Sequence, residues 1–585
     1  MIDKNQWKAL VQSRLQNLYE KSGHEGQLNE VNLQIPPKPE LGDLAFPLFA
    51  YAKAFGSSPN KIAQDLAADI NNLEDKPNGE AFVAGPYMNV RLNMDSMFSD
   101  LYEKITKERE GYGATEDLKG KKVMIEFSCP NTNKPLHLGH VRNDCIGQSM
   151  SQILKANGAN VMKVNLINNR GVHICKSMLA YKLFGNGETP ESTGIKGDHF
   201  VGNYYVRFAQ WESQEKEKAD AMAQEMLVQW ENGDPEVLKL WNLMNSWTIE
   251  GMEETYRNTG ISFDKYYYES NTYKLGKDKV LDGLQRGIFQ QQEDGAIYID
   301  NSDIGLDRKI LLRKDGTSIY ITQDIGTAIN RHEDWPFDSL VYVVASEQQY
   351  HFKVLFNVLN KLGYSWAKDL HHLSYGMVFL PEGKMKSREG TVVDADDLIA
   401  SLTNMAKEEI IEKGRDTDLE NVDETAHNIA IGALNYYILQ FDPQKDFVFN
   451  PKESLSFNGN TGPYLQYMGA RISSMLRKYE EMKEDYETIV FDPTLLALED
   501  EREMLKAIGS FGETVEKAGK NYDPSIICSY LYELSKRFSH WYHDNQILKA
   551  ETPNLVKARV CLCQMVLQTM KNAFSLVGIP YLEKM

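Results

Sequence analysis

Apolar residues change their spacing repeatedly along the chain, and each change marks an element. Ile62, Leu66 and Ile70 recur with helical period and are followed by an extended stretch, AFVAGPYMNVRLN. The linker GYGATEDLKGKK closes this first unit, residues 1–117. VMIEFS (123–128) then alternates as a strand, and Val141, Cys145, Ile146, Ser149, Met150, Ile153 and Leu154 return to helical period. Gly158 ends that helix and VMKVNLI (161–167) resumes as a strand, so the segment predicts one βαβ unit of a parallel sheet.

Residues 190–258 are polar, Trp-containing and helical in pattern, as expected of an insertion between two halves of that sheet. The second half has a strand at SLVYVVA (339–345), a helix bearing Phe352, Leu355, Phe356 and Leu359 on one face, and another apolar strand around Gly376. A charged helix pair follows, broken by EKGRDTDLE. From 446 to 585 the period is helical, without strand runs, to the terminal helix VKARVCLCQMVLQTMKNAFSLVG. The segments 1–117, 118–445 and 446–585 are therefore expected to be separate domains, because 585 residues exceed what one core can organise.

Composition narrows the function. At 42% hydrophobic and 25% charged residues, with no apolar run long enough for a membrane span and no leader-like start, a soluble cytoplasmic protein is expected, with no membrane partner. The six cysteines form no C-x-x-C pair and read as reduced core thiols. His137 and His140 form an H-x-x-H pair without a third ligand type at metal spacing, so no protein-bound metal is expected. A net charge of −19 argues against indiscriminate coating of nucleic acid and against DNA as a partner, but leaves room for a local basic track.

Two segments carry candidate chemistry. CPNTNKPLHLGH ends at His140 between a predicted strand and a predicted helix. Backbone N–H groups at a helix start attract phosphate, Gly139 permits close approach, and two imidazoles can donate to phosphate oxygens. A Pro-containing turn with two surface histidines is the plainer reading. GKMKSREGTVV (383–393) is a basic loop before a helix opened by Asp394, Asp396 and Asp397; it suits closure over a triphosphate, and equally a solvated loop.

Together these segments resemble the H-I-G-H and K-M-S-K-S motifs of class I aminoacyl-tRNA synthetases. EFSCPNTNKPLHLGHVRN, FDKYYYES (263–270), SIYITQDIGTA (318–328), ASEQQYHF (345–352), SFNGNTGPYLQYMGARI (456–472) and the terminal VGIPYLEKM resemble arginyl-tRNA synthetases in particular. The resemblance implies an α/β fold: a Rossmann-like parallel-sheet catalytic domain, an N-terminal α+β domain touching the tRNA elbow, and a C-terminal all-α anticodon-binding bundle. It implies ATP, with Mg²⁺, L-arginine and a cognate arginine tRNA as partners, and a chain acting as a monomer.

By the same resemblance His137, His140, Lys134 and Lys384 are catalytic, and Gly139, Met377, Val378, Met385 and Ser387 bind ATP. Glu269, Tyr320 and Asp324 hold the guanidinium, whose five-donor fork suits two carboxylates and a phenol. Ser128, Asn131 and Gln348 orient the α-amino and carboxylate groups, with Glu126 beside them. Tyr87, Asn89, Tyr464, Gln466, Tyr467 and Arg471 meet tRNA. The chain departs from the pattern twice. Ser387 stands where K-M-S-K-S has its second lysine, leaving Lys134 and Lys386 as alternatives, and NNRGVH (168–173) leaves the role of Asn169 open.

Overall fold

The structure, a computed structural model, describes residues 4–379, 381 and 393–585. They fold as two compact units: 1–112 with 475–511 and 536–569, and 113–474 with 512–535 and 570–585. The C-terminal helical region thus contributes to both.

In the first unit, strands β1 (Leu44–Pro47), β2 (Glu80–Ala84) and β3 (Tyr87–Arg91) form an antiparallel sheet in the order β1-β3-β2. The extended stretch expected from sequence is the β2–β3 hairpin. The helix Pro59–Asn71, capped by Ser58, buries Ile62, Leu66 and Ile70, and the helix Lys4–Lys21 adds Trp7, Val11 and Leu15 to the same core. Among the C-terminal helices of this unit, buried Glu501 accepts from Trp541 Nε1 (3.2 Å) and Arg559 Nε (2.9 Å), so its charge is neutralised where it is desolvated.

The second unit is built on a five-stranded parallel sheet of order β11-β10-β4-β5-β6. Its strands are β4 (Lys122–Glu126), β5 (Asn160–Ile167), β6 (Lys265–Tyr268), β10 (Ser339–Ala345) and β11 (Leu370–Tyr375). β7 (Gln290–Gln291), β8 (Ile297–Ile299) and β9 (Lys309–Leu312) form a small antiparallel sheet that the sequence pattern had not announced. The helix Leu138–Ala156 joins β4 to β5 as expected. From β4 the chain winds first toward β5 and later returns at β10 on the opposite side, so β4 and β10 flank a switch point. A crevice at the carboxyl ends of the strands is where such sheets take ligands.

The insertion supplies the helices Gly197–Glu212, Lys216–Glu231 and Pro235–Thr259. Gly197 and Gly251 allow the first and third to meet closely, since a Cβ at Gly197 would lie 2.1 Å from Trp247 O and one at Gly251 2.4 Å from Asp198 Oδ1.

Three expectations need correction. β4 stops at Glu126, two residues early, because Ser128 and Cys129 turn out of the sheet. Gly376 lies between β11 and β12 (Val378–Phe379) rather than within a strand. The region after 446 does contain a strand: β13 (Phe447–Val448) pairs with β12 in parallel, too short to register as a pattern. The six cysteines are unpaired and all but Cys129 are buried. Among the described residues no helix is long and apolar enough to cross a membrane.

Candidate active site

At the end of β4, Ser128 (φ 73°) and Cys129 (φ 49°) both adopt left-handed backbone, although neither is glycine. Such a conformation costs roughly 1–2 kcal/mol per residue. The surrounding hydrogen bonds hold it. Ser128 N donates to Asn143 Oδ1 (2.6 Å) and Cys129 N to Asn165 Oδ1 (3.1 Å), Asn168 Nδ2 donates to Cys129 O (2.9 Å), and Ser128 Oγ meets Tyr256 OH at 2.6 Å. Asn143 is itself fixed by Val343 O (2.8 Å) and Tyr375 OH (3.0 Å). The turn is therefore anchored to β10 and β11 as well as to β5.

His137 then caps the helix Leu138–Ala156. Gly139 N donates to His137 Nδ1 (3.1 Å) and His137 N to His140 Nδ1 (3.2 Å), a reciprocal capping box made by imidazoles. The rings lie 3.9 Å apart. A side chain at position 139 would crowd His137, with Cε1 2.9 Å from the added Cβ.

Burial, with Lys134 adding repulsion, holds His137 down at about 4; burial, then His137 and Lys134, pushes His140 well below the usual histidine range. Both rings are neutral at physiological pH. Since each Nδ1 accepts, each proton sits on Nε2, leaving two Nε2–H donors beside a helix N-terminus. Burial also lowers the Lys134 ammonium.

Next to this pair is a cavity of about 390 Å³ whose lining includes Ser128, His137, Gly139, His140, Ala345 and Met377–Phe379. Of the expected ATP residues, Gly139, Met377 and Val378 lie here. Lys384, Met385, Ser387 and also Lys386 fall outside the described residues. Two of the lining residues are fixed from outside the cavity: Met377 N donates to Asp446 Oδ1 (2.6 Å), and Arg142 donates to Pro443 O (3.0 Å) and Lys445 O (2.7 Å). No carboxylate appears among the described lining residues, which favours an anionic ligand.

A second cluster gathers around the start of the helix Tyr320–Asp334. Asp324 accepts from His351 Nε2 at 2.6 Å. Burial pushes Glu269 up to about 7, with Arg170 opposing and the charge of Asp324 adding to the rise, so the two carboxylates face a common region. Tyr320 is 78% exposed, its phenol open to solvent, and Gln348 is exposed at the end of the turn Ser346–Gln348. Asn131 bridges to Asn168 beside the Ser128 turn.

Glu126, expected beside the bound arginine, is instead buried and paired with the Arg331 guanidinium. Arg331 lies 5.0 Å from the Tyr267 ring. Asn169 gains a role that sequence left open. Its Oδ1 accepts from Ser270 N (3.0 Å) and its carbonyl from Trp241 Nε1 (2.7 Å), fixing the backbone next to Glu269. His351 and Arg331 were missed as contributors; only the spacing Gln348–His351, one helical turn, hinted at either of them.

Comparisons with known proteins agree along the whole chain. Residues 103–451 match the model for tRNA synthetases class I (R), catalytic domain, 465–585 the DALR anticodon binding domain, and 5–92 the arginyl tRNA synthetase N terminal domain. An arginine–tRNA ligase from Treponema denticola is 54% identical, over 100% of this chain and 99% of that protein. The chain belongs to the arginyl-tRNA synthetases. A relative from Bacteroides thetaiotaomicron, also an arginine–tRNA ligase, is 46% identical over 98% of this chain and 99% of its own length. The Thermus thermophilus arginyl-tRNA synthetase shares the fold with a TM-score of 0.78 at 24% identity, covering 100% of both chains.

Arginyl-tRNA synthetases must also hold tRNA, and the residues expected to do so are unequally placed. Tyr464 and Tyr467 are half-buried on the helix Gly462–Glu480, with Tyr467 5.6 Å from the Arg415 guanidinium and Tyr464 6.2 Å from the Tyr532 ring. Arg471 is half-buried on the same helix. Gln466 is fully buried and donates to Asn428 O (3.0 Å) and Pro580 O (2.8 Å), so it joins helices rather than facing a ligand. In the first unit Tyr87 packs edge-on to exposed Phe49 at 5.3 Å. Asn89 is buried, its Nδ2 donating to Leu41 O (2.8 Å), and serves the turn before β1.

One group among the described residues, Asp198, His199 and Asp396, brings its ligand atoms within 4.8 Å of one another. The Lys196 ammonium stands among them, 2.7 Å from Asp396 and 3.2 Å from Asp198, and supplies the positive charge a cation would bring.

Proposed function

We propose that this arginyl-tRNA synthetase activates L-arginine at the crevice between β4 and β10 and transfers it to the 3′-terminal adenosine of its arginine tRNA. The carrying observation is the neutral histidine pair, with both Nε2–H groups free of the cap and directed by it, at a helix N-terminus beside a cavity that has no carboxylate among its described lining residues.

In the first step an arginine carboxylate oxygen bonds to the α-phosphorus of ATP as the bond to pyrophosphate breaks. His137 and His140 donate to phosphate oxygens as charge moves onto them, and Lys134 and Lys384 supply positive charge. The described lining, without a carboxylate to hold a cation, fits a nucleotide, and Mg²⁺ brought with ATP would supply charge neutralisation there. No covalent enzyme intermediate is required, and catalysis rests on positioning and charge stabilisation. A ribose hydroxyl of the terminal adenosine then attacks the arginyl carbonyl, and AMP leaves.

Glu269, Asp324 and Tyr320 recognise the guanidinium, and Ser128, Asn131 and Gln348 the α-amino acid end. Lysine and citrulline are rejected by binding alone, because either leaves a carboxylate without its partner. The segments 1–117, 118–445 and 446–585 act as elbow-binding, catalytic and anticodon-binding parts of a cytoplasmic monomer, with Tyr87, Tyr464, Tyr467 and Arg471 toward tRNA.

Arginine-dependent ATP–pyrophosphate exchange, measured with and without cognate tRNA, tests the reading. Exchange that requires arginine and is stimulated by tRNA supports it; exchange independent of arginine overturns it.

A further inference from the structure

The helix Gly197–Glu212 of the insertion lies against the histidine turn and, at its start, reaches the helix that follows the second basic segment. At Gly202 it lies so close to the histidine turn that an added Cβ would stand 2.8 Å from Pro135 Cδ. At its start, Lys196 and His199 reach Asp396, in the first turn of the helix Ala395–Glu412 that follows the second basic segment.

Both oxygens of the Asp396 carboxylate are engaged. Oδ2 accepts from Lys196 Nζ (2.7 Å) and His199 Nε2 (3.0 Å), and Oδ1 from Thr255 Oγ1 (2.9 Å) on the helix Pro235–Thr259. Lys196 Nζ also donates to Thr255 Oγ1 (2.6 Å) and pairs with fully buried Asp198 (3.2 Å), and His199 is 3.6 Å from Asp394. Just before Asp396 the backbone is bonded to the first motif: Leu138 N donates to Val393 O (3.1 Å), Ala395 N to Leu136 O (3.0 Å), and His137 pairs with Asp394 as a β-bridge. The residues flanking His137 are thus hydrogen-bonded to the residues flanking Asp394.

We propose that Asp396, held by Lys196, His199 and Thr255, is a positioning residue for adenylate formation: it locks residues 393–395, and through them the His137–His140 cap, to the inserted helices. The inference rests on the catalytic reading of those histidines. Asp396 touches no substrate; it acts through the backbone on either side of His137. A rigid cap matters because two Nε2–H donors stabilise developing charge only if they already point at it.

Protonation of His199 is part of the lock. The hydrogen bond to Asp396, with Asp394 and Asp198 adding attraction against burial, raises His199 above its ordinary value. Burial alone would raise Asp396, but the bonds from His199 and Lys196 hold it down at about 2. The titratable and charged groups around His199 are Lys196 and Asp198 beside it, Asp394 at the cap and Asp396 in the first turn of the helix Ala395–Glu412, Glu254 from the neighbouring helix, and His427 across the same cavity. With its pKa raised, His199 holds its proton to higher pH than a free imidazole does and loses it as pH rises through the folded value, so the lock weakens on the alkaline side.

The test uses the full chain with cognate tRNA. In arginine-dependent pyrophosphate exchange, Asp396→Asn is expected to lower kcat about 10- to 100-fold with arginine and ATP KM within about twofold of wild type, the scale of a misplaced catalytic group. His199→Gln, which keeps a neutral donor, is expected to lower kcat less and to remove an alkaline decline in the kcat–pH profile of the wild type. Normal kcat in Asp396→Asn overturns the proposal, as does an unchanged alkaline decline in His199→Gln, or a loss that tracks only the folded fraction measured by thermal melting. Failure of the wild type itself to exchange in an arginine-dependent manner would instead remove the catalytic reading.

Discussion

His351 Nε2 stands 2.6 Å from Asp324 Oδ2, so the carboxylate expected to meet the substrate guanidinium enters the site with one oxygen already engaged. On the proposed reading Oδ1 is the oxygen left for the guanidinium, with the imidazole holding the carboxylate plane.

Asp324→Asn is therefore expected to raise the arginine KM far more than the ATP KM, with a loss of about 2–4 kcal/mol in kcat/KM for arginine. His351→Ala leaves the charge but frees its rotation, so a smaller loss of about 1 kcal/mol in the same parameter is expected. Steady-state kinetics with arginine and ATP varied separately decides; an unchanged arginine KM in Asp324→Asn would remove that residue from the pocket.

Arginine affinity should depend on pH through Glu269, whose carboxyl is pushed up to about 7 by burial, with Asp324 adding to the rise against Arg170. The ionised form pairs with the guanidinium and the protonated form does not. Affinity is expected to strengthen as pH rises through about 7 and to level off above it, with proton release on binding. Calorimetry in buffers of different ionisation enthalpy measures that proton, and Glu269→Gln should abolish both the release and the pH slope.

Loss of a phosphate donor should appear in the chemical step. His140→Ala is expected to slow adenylate formation about 10²- to 10³-fold in single-turnover quench experiments, with little change in tRNA affinity. Lys134→Ala should be as severe and Lys386→Ala milder than about tenfold, because Lys134 precedes the buried cap while its rival belongs to a basic surface loop in the sequence pattern. The reverse ranking would transfer the role to Lys386.

The buried Glu126–Arg331 pair makes a stability prediction of its own. Arg331→Met leaves an uncompensated carboxylate in the core and is expected to destabilise the fold by about 3–5 kcal/mol. The double change Glu126→Gln with Arg331→Met should recover part of that loss in chemical denaturation. Equal stability of wild type and Arg331→Met would show the pair to be solvated.

The sequence by itself determined the parallel strand frame and the histidine turn, because both are written in local periodicity: VMKVNLI and SLVYVVA are β5 and β10, and the first-motif helix runs as its apolar spacing requires. It also marked Glu269 and Asp324 through resemblance. Tertiary structure decided what each polar residue faces. Glu126, Asn89 and Gln466 read as ligands in one dimension, yet each is buried: Glu126 pairs with Arg331, and the amide nitrogens of Asn89 and Gln466 donate to Leu41 O and to the Asn428 and Pro580 carbonyls. His351, Asn169 and Asp396 carried little signal alone, because their partners lie 27, 101 and up to 200 residues away. A buried polar group must find its partner wherever packing places it, and period and spacing report only the local half of that bond.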